Sequence, residues 1–330
     1  MFSYRHAFHA GNHADVLKHA MLLHILDHLG KKDTAYTLVD THAGAGIYDL
    51  SDDWARTKAE SDLGVARVWH AAADGSAPAL VQRYLQAIQT YNEPGSLRWY
   101  PGSPWLALHA MRSQDRLRLF EMHPSEGEIL AHNLDCLDTR QQRQTELRDT
   151  DGFGGLKAFF PPPSRRGLAV IDPSYEDKQD YKRVLQTLEE GLKRFASGTY
   201  FVWYPLVQRR EVEAMVKGMR KLAPNEWLHA SLQVNKPSAD GLGLYGSGVF
   251  VINPPYTLAA SLHQALPWLN KTLAQDSHSR HTLESGDNTR KKTADDEDEA
   301  SLPNHRTPAR PQQRHPAARR PALKRPPRRP

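Results

Sequence analysis

The sequence predicts an α/β fold in which helices cover a mostly parallel sheet. Short runs of β-branched and aromatic residues alternate with helical patterns along the chain. A glycine-rich turn follows the first of these runs, and acidic residues recur where the runs end. Ligands of such sheets bind at the carboxyl ends of the strands, so this edge is where a site is expected.

The sheet is predicted to have seven strands. Five of them form βα units, at residues 36–40, 117–121, 144–148, 168–172 and 200–204. Two later runs, 227–234 and 248–252, are separated by glycine-rich sequence, which predicts a hairpin. Before the first strand, apolar residues at helical spacing predict a helix over 15–29 that ends at Gly30.

Residues 51–99 predict an inserted helical subdomain. About seventy residues separate the first two predicted strands, far more than a usual connection. Two helical patterns, 56–73 and 79–91, fall in this stretch. Residues 1–50 and 100–275 then make up the sheet domain, and the insertion lies beside its ligand-binding edge.

The C-terminal segment, residues 276–330, carries the whole excess of positive charge. The net charge is +5, and this segment holds 13 of the 43 Lys and Arg but only 8 of the 38 Asp and Glu. The rest of the chain therefore has 30 residues of each sign. The segment lacks aromatic residues and ends in a Pro- and Arg-rich stretch, which predicts a disordered basic tail. Attraction to RNA phosphates and simple solubilisation are both open roles for it.

Composition places the chain in a reducing, aqueous compartment. A length of 330 residues is enough for a substantial core, and no apolar run approaches the roughly 18 residues of a membrane-spanning helix. The single cysteine, Cys136, excludes an internal disulfide. We therefore expect a cytoplasmic protein that does not associate with a membrane.

The glycine-rich turn, which runs from Asp40 through His42 and Gly44 to Gly46, leaves the first strand at its carboxyl end. Glycine there lets the backbone approach a ligand closely. A nicotinamide dinucleotide site is one interpretation, but its fingerprint requires glycine at the position of Asp49.

Acidic residues at the next strand ends point to a different cofactor. Glu121 ends the second strand, where an acid commonly holds the hydroxyls of a ribose, and Asp151 follows the third, where it can contact an adenine. Glu121 lies much further along the chain than the acid of a dinucleotide fold. The spacing favours S-adenosylmethionine over NAD.

The segment Asp172-Pro173-Ser174-Tyr175 forms a polar corner at the same edge, directly after an apolar run. Asp172 offers a carboxylate acceptor, Pro173 presents its carbonyl with a fixed φ, and Tyr175 offers a ring on which a flat base can stack. These groups suit the methylation of an exocyclic nitrogen. A strand followed by an ordinary turn is the alternative for this motif taken alone.

The N-terminal segment is rich in histidine, but no cysteine lies nearby and no zinc signature is present, so we predict no metal site. Composition alone favours a solvated polar terminus. However, Tyr4 with Arg5 and Lys18 provides the aromatic ring and the cations that unpaired nucleotides require.

A second motif, Asn253-Pro254-Pro255-Tyr256, also follows a predicted strand. Its sequence matches the adenine-methyltransferase signature more closely than residues 172–175 do. In the expected topology, however, its strand is the return arm of the hairpin and runs antiparallel to the others. Asn253 should therefore lie at the edge of the sheet opposite Gly44, so we assign the reaction to Asp172.

Together these segments resemble the bacterial 23S ribosomal RNA adenine-N6 methyltransferase J family, which has the class I S-adenosylmethionine-dependent methyltransferase fold. The resemblance covers about residues 1–275, and the tail from 276 has no counterpart in it. It is carried by residues 3–6, 9–19, 40–46, 100–104, 121–124, 151–153, 164–168 and 193–196.

The resemblance implies a Rossmann-like seven-stranded fold and a set of site residues. Asp172 is implied to hold the target amine, and Tyr4 is implied to meet the RNA. From the chemistry of the residues we add Pro173 and Tyr175 beside the amine, and Arg5 and Tyr175 as RNA contacts. The cofactor is implied to be S-adenosylmethionine, surrounded by Lys18, His19, His42, Gly44, Ser103, Glu121, Asp151, Gly152 and Asp172. The substrate is implied to be one adenine of 23S rRNA, and we expect protein-free or partly assembled rRNA and a monomeric enzyme.

One residue departs from the family pattern, in which the corner reads Asp-Pro-Pro-Tyr. The second proline is Ser174 here, which predicts a less rigid corner rather than a loss of activity. An N6-adenine DNA methyltransferase, a protein glutamine methyltransferase and a weakly active RNA-binding module remain open as alternatives.

Overall fold

An eight-stranded mixed sheet organises the part of the chain that the computed structural model describes, residues 8–52, 60–241 and 243–289. The strands are β1 (Thr37–Asp40), β2 (Ile47–Asp49), β3 (Trp99–Pro101), β4 (Arg116–Phe120), β5 (Thr145–Arg148), β6 (Gly167–Ile171), β7 (Thr199–Leu206), β8 (Glu226–Gln233), β9 (Gly246–Ile252) and β10 (Arg280–Asp287). The large sheet has the order β10-β8-β9-β7-β6-β1-β4-β5, and β2 pairs separately with β3.

The predicted strands and the hairpin are confirmed. Strands β7, β6, β1, β4 and β5 are mutually parallel, so their carboxyl ends meet at one edge. Strand β9 runs antiparallel to both β7 and β8. The end of β9 therefore lies at the opposite edge, and Asn253 with it.

The prediction of seven strands and of a tail beginning at residue 276 was wrong. Strand β10, Arg280–Asp287, pairs antiparallel with the whole of β8 and becomes the outermost strand. Its residues are half-buried or exposed, because an edge strand has no second neighbour and little cover. It is held by backbone pairing and by Glu284, which forms an ion pair with Arg220 and a hydrogen bond with His229. A strand held in this way has no apolar pattern that the sequence reveals.

Helices cover both faces of the sheet. They are α1 (His13–Gly30), α2 (Glu60–Leu63), α3 (Val65–Ala71), α4 (Ala79–Gln89), α5 (Ser103–Ala110), α6 (Pro124–Asp135), α7 (Thr139–Gln144), α8 (Gly152–Gly155), α9 (Asp180–Arg194), α10 (Arg210–Leu222) and α11 (Leu258–Leu273). The buried apolar residues form two clusters. One includes residues of α1, α4, α5 and α11, and the other includes residues of α9 and α10.

The helical insertion between β1 and β4 shares a core with the sheet domain. Val65, Val68 and Tyr84 of the insertion are fully buried in the same cluster as α1 and α11. The predicted helix over 79–91 is confirmed, while that over 56–73 corresponds to α2, α3 and a 3₁₀ turn, with residues 53–59 outside the described part. The insertion thus packs beside the site instead of forming a separate globule.

The first helix carries several polar residues into the interior of the protein. Asn12 caps it by accepting hydrogen bonds from the backbone N–H groups of Ala14 and Asp15. Asp15, Lys18 and His19 follow in its first two turns, and all three are almost completely buried. Burying such groups is costly unless they are paired, so they must find partners across the site. Within the three described stretches of chain, no helix combines the length and apolar character needed to cross a membrane.

Candidate active site

A cavity of about 700 Å³ opens at the carboxyl ends of β1, β4, β5 and β6. Every residue that the sequence assigns to the cofactor lines it: Lys18, His19, His42, Gly44, Ser103, Glu121, Asp151, Gly152 and Asp172. Their proximity follows from the parallel strands, which bring residues far apart in sequence to one edge. Pro173 and Ser174 also contribute to its wall.

The floor of the cavity is formed by the glycine-rich turn and Glu121. Gly44 donates its backbone N–H to Glu121 Oε2 at 2.8 Å, and His123 donates its N–H to Oε1 at 2.7 Å. The φ of Gly44 is +62°, and a Cβ there would lie 2.4 Å from the Tyr48 hydroxyl oxygen. Glycine is therefore required, and it leaves backbone atoms next to an oriented carboxylate.

Asp40 is completely buried beneath this turn and accepts a hydrogen bond from the Ser103 hydroxyl at 2.6 Å. Burial raises the pKa of Asp40 to about 6, although the hydrogen bonds from Ser103 and from the backbone of His42 lower it. Ser103 thus holds a carboxylate under the turn, in addition to lining the cavity.

His42 is neutral in this environment, because burial lowers its pKa to about 4. Its Nδ1 lies 2.8 Å from the Thr41 hydroxyl, which itself donates to the carbonyl of Val170. A hydroxyl has one proton, so Nδ1 must carry the hydrogen and Nε2 is left as an acceptor. His42 thereby adds a hydrogen-bond acceptor to the cavity wall.

Asp151 and Gly152 form another wall of the cavity, at the start of α8. Asp151 accepts a hydrogen bond from the Arg183 guanidinium at 2.8 Å. A Cβ on Gly152 would lie 2.0 Å from the carbonyl oxygen of Thr41, so only glycine lets α8 pack against the turn after β1. Nothing in the sequence singled out Arg183, which lies within the regular pattern of a helix.

Asp172 takes part in a buried ion-pair network at the end of β6. The Lys18 ammonium lies 2.7 Å from Asp172 Oδ2 and 2.8 Å from Asp15 Oδ1. Burial opposes the charge of Lys18, but the two carboxylates outweigh it and raise its pKa above the ordinary value. Lys18 therefore stays charged and fixes the orientation of Asp172.

His19 lies next to this network and connects it to the helical insertion. Its Nδ1 is 2.8 Å from the Tyr100 hydroxyl, which is 3.0 Å from the Tyr84 hydroxyl. All three side chains are fully buried. His19 therefore contributes to the cavity wall while it is held in place from the insertion side.

A second cavity, of about 270 Å³, lies beside the first. The two cavities share four lining residues: Lys18, Asp172, Ser174 and Glu176. Asp172 therefore stands in the wall between two spaces. The second space has aromatic walls from Trp203 and Tyr181, and Arg209 also borders it.

The prediction that Tyr175 offers its ring for stacking was wrong. Tyr175 is only 2 % exposed, and its hydroxyl donates to the carbonyl of Trp203 at 2.7 Å. Its ring packs against Tyr181, with centroids 4.7 Å apart. The φ of Tyr175 is +55°, so the chain turns sharply after Ser174 and directs this side chain into the core. Tyr175 still borders the second cavity, next to Trp203, which the sequence analysis placed in a strand without assigning it a role.

Other sequence assignments fall away from this edge or outside the described residues. Tyr4 and Arg5 lie outside the described part of the chain. Asn253 lies at the opposite edge, where its side chain donates to the carbonyls of Ala196 and Gly198. In the described stretches there is no cluster of three His, Cys, Asp or Glu suited to a metal ion.

These residues fit S-adenosylmethionine. The volume of the first cavity lies within the roughly 300–1,000 Å³ of cofactor sites. The oriented Glu121 carboxylate has the chemistry to accept from ribose hydroxyls, the Asp151 carboxylate has the chemistry to accept from an adenine amino group, and the backbone at Gly44 permits close approach.

Known proteins are similar to this chain over most of its length. A family model described as Ribosomal RNA large subunit methyltransferase D, RlmJ, matches residues 33–284. The Ribosomal RNA large subunit methyltransferase J of Escherichia coli (strain K12) is 42% identical over 273 residues, which are 83% of this chain and 94% of that protein. The protein of the same name from Haemophilus influenzae is 41% identical over 285 residues, 86% of this chain and 98% of its own.

A solved structure supports the same relationship. The crystal structure of a protein from Legionella pneumophila str. Philadelphia 1 superposes with a TM-score of 0.76 at 36% sequence identity. The superposition covers 84% of this chain and 98% of that one. The family model matches more than half of the chain and the two relatives are above 40% identical over most of it, so the chain belongs to the ribosomal RNA large subunit methyltransferase J family.

Proposed function

We propose that this protein transfers a methyl group from S-adenosylmethionine to the exocyclic N6 of one adenine in 23S ribosomal RNA. The observation that carries the proposal is the position of Asp172 in the wall between two cavities. The larger cavity suits the methyl donor, and the smaller suits a single base. Family membership supports both the reaction and the class of substrate.

The main task of the protein is to orient the amine. Its nitrogen lone pair is delocalised into the adenine ring, and hydrogen bonds to the Asp172 carboxylate and the Pro173 carbonyl would direct it toward the donor. S-adenosylmethionine supplies an electrophilic methyl carbon and a neutral thioether leaving group. Lys18 pairs with the Asp172 carboxylate at 2.7 Å and holds it in one orientation toward the amine.

Proton transfer follows methyl transfer in this scheme. The neutral amine is far too weak an acid for an ordinary carboxylate to deprotonate it. Once N6 carries the additional methyl group it is cationic, and it can release its proton to Asp172 or to water.

The target adenine must leave any helix in which it is stacked to enter the smaller cavity. Trp203 provides an aromatic surface for such a base, and Arg209 borders the same cavity. We expect the substrate to be protein-free or partly assembled rRNA, and the enzyme to act as a monomer in the cytoplasm. Tyr4 and Arg5, which precede the described chain, are the proposed additional RNA contacts.

The test is methylation with a labelled donor and separate acceptors. Deproteinised 23S rRNA from cells that lack the gene should accept label as N6-methyladenosine, whereas rRNA from cells that carry the gene should not. Asp172→Asn keeps the size of the side chain but replaces one acceptor by a donor, so methylation should fall by at least about 100-fold. Label in DNA or in protein alone, or full activity of Asp172→Asn, would contradict the proposal.

A further inference from the structure

Arg183, on α9, connects two residues of the wall at which the adenine of the donor is proposed to bind. Its Nη2 donates to Asp151 Oδ2 at 2.8 Å, and its Cζ lies 4.3 Å from the centroid of the Phe153 ring. The same guanidinium is 3.6 Å from Asp180 on its own helix. One side chain thus holds both a carboxylate and an aromatic ring.

The Asp151 carboxylate is fixed at both of its oxygens. Oδ2 accepts from Arg183, and Oδ1 accepts from the backbone N–H of Phe153 at 3.2 Å. A carboxylate oxygen has lone pairs for more than one donor, so these bonds orient it without removing its capacity to accept another. Two oriented hydrogen bonds fix the plane of the carboxylate relative to the cavity.

The Phe153 ring is confined as well. Arg183 contacts it at cation–π distance, and the His42 ring packs against it edge-on, with centroids 4.8 Å apart and the planes at 70°. His42, Asp151, Phe153 and Arg183 all border the larger cavity. The Arg183 guanidinium donates to Asp151, and the two other hydrogen-bonding groups beside the ring, the His42 Nε2 and the Asp151 carboxylate, are acceptors.

We propose that Arg183 is a positioning residue for the methyl donor, acting through Asp151 and Phe153 to make this wall selective for a 6-amino purine. A pair of acceptors beside the Phe153 ring, with the Arg183 guanidinium engaged by Asp151, Asp180 and that ring, matches the amino group of adenine. It opposes the 6-oxo group of hypoxanthine, which would leave acceptor facing acceptor. Arg183 preserves that selectivity because it prevents the Asp151 carboxylate from rotating away.

Binding of S-adenosylhomocysteine and of S-inosylhomocysteine, measured by titration calorimetry, tests the inference. The wild-type protein should prefer the adenosyl compound at least about tenfold, and Arg183→Met should lower its affinity by about tenfold. The preference should then shrink to about twofold or less, since a misoriented carboxylate cannot discriminate. Turnover at saturating donor should change by less than about twofold, because Arg183 does not touch the reacting atoms.

Matched variants separate this role from charge and from folding. Lys182→Met removes a positive charge from the neighbouring, exposed position of α9 and should bind both compounds like the wild type. Arg183→Lys restores the charge without a guanidinium fork and should recover only part of the selectivity. Thermal unfolding identifies any variant that fails to fold, and Arg183→Lys then serves in place of Arg183→Met.

A double-mutant cycle shows whether Arg183 acts through Asp151. Asp151→Asn alone should lower the affinity for S-adenosylhomocysteine by about tenfold. Adding Arg183→Met should lower that affinity by a further factor of about two or less. Unchanged selectivity in Arg183→Met, or fully additive losses in the double variant, would overturn the inference.

The inference rests on the proposed donor site, and the two can fail separately. If S-adenosylhomocysteine does not bind, or binds equally well to Glu121→Ala and Asp151→Asn, the donor site itself is misplaced. If those variants lose affinity and Arg183→Met does not, only the role of Arg183 is wrong.

Discussion

Lys18 and Asp172 form a buried ion pair with 2.7 Å between Nζ and Oδ2, although 154 positions separate them in the sequence. Lys18 belongs to the first helix and Asp172 to the end of a central strand. The same ammonium is 2.8 Å from Asp15. One cation is therefore shared by two carboxylates at the boundary between the proposed donor and acceptor cavities.

Lys18→Met should damage both stability and activity. It leaves Asp15 and Asp172 without their shared cation, and breaking a buried pair in this way costs roughly 3 kcal/mol of unfolding free energy. Methylation by the remaining folded enzyme should fall by at least about 100-fold, because the carboxylate is no longer oriented. Denaturant unfolding and single-turnover kinetics measure the two effects. A stable variant with full activity would show that the ion pair is dispensable.

Trp203→Ala should weaken binding of the RNA substrate but not binding of the methyl donor. Stacking of a base on an aromatic ring contributes about 1–3 kcal/mol, so we expect the KM for RNA to rise about tenfold. The affinity for S-adenosylhomocysteine should stay unchanged, because Trp203 borders only the smaller cavity. Trp203→Phe retains a stacking surface and is the control. Equal KM values for all three proteins would exclude Trp203 from base binding.

Ser174→Pro should accelerate the enzyme modestly. Ser174 is exposed at the corner shared by both cavities, and proline would reduce the freedom of the chain on either side of it. Proline at a compatible position stabilises a protein by about 0.4–1 kcal/mol through the unfolded chain, and we expect kcat to rise by no more than about fivefold from the stiffer corner. Donor affinity should not change. A rise from undetectable to robust methylation would mean that serine impairs the corner far more than we infer.

Asn253→Ala should affect stability without affecting chemistry. Its side chain donates to the carbonyls of Ala196 at 2.8 Å and Gly198 at 2.7 Å, at the edge opposite the cavities. Loss of these two bonds should lower the free energy of unfolding by about 1–2 kcal/mol. Turnover and KM, measured below the transition temperature, should match the wild type. A selective loss of turnover in a stable variant would reopen the second motif as a catalytic candidate.

Asp40→Asn should change the dependence of stability on pH. Burial raises the pKa of Asp40 from its ordinary 3.8 to about 6, so the folded state holds this proton more tightly than the unfolded state. Stability from this group is therefore present at low pH and is lost as the pH rises through about 6.

The Asp40→Asn side chain cannot ionise, so the variant does not lose this unfolding free energy as the pH rises. Relative to wild type, its free energy of unfolding should gain on the order of 2 kcal/mol between about pH 4 and about pH 7. Urea unfolding at a series of pH values measures the difference. A difference that does not change with pH would show that Asp40 titrates normally.

The position of the cavity could be predicted from the sequence, because the carboxyl ends of parallel strands meet at one edge of the sheet. Glu121 and Asp172 each come at the end of an apolar β-prone run, and Asp151 follows a weaker, mixed run, so local patterns were enough to bring them to one edge. The same reasoning placed Asn253 at the other edge, because a hairpin reverses direction. These are consequences of chain topology, which periodicity and turn residues express directly.

Local patterns failed where the partner is distant or the element is an edge strand. Tyr175 was expected in the site from its place in a motif, but a positive φ sends its ring into the core. Arg183 and Trp203 lie within an ordinary helix and strand, and only their neighbours in space give them a role. Strand β10 has no apolar pattern, because backbone pairing with β8 holds it.

By itself, then, the sequence determined the order of the elements, the edge at which the site lies, and the residue types that the chemistry needs. Hydrophobic periodicity and turn chemistry are local properties, so they can be read along the chain. The tertiary structure alone decided that Lys18 pairs with Asp172, that Arg183 hydrogen-bonds to Asp151, and that Trp203 borders the second cavity. Each of these depends on the distance between side chains on different elements, which packing fixes and sequence spacing does not record.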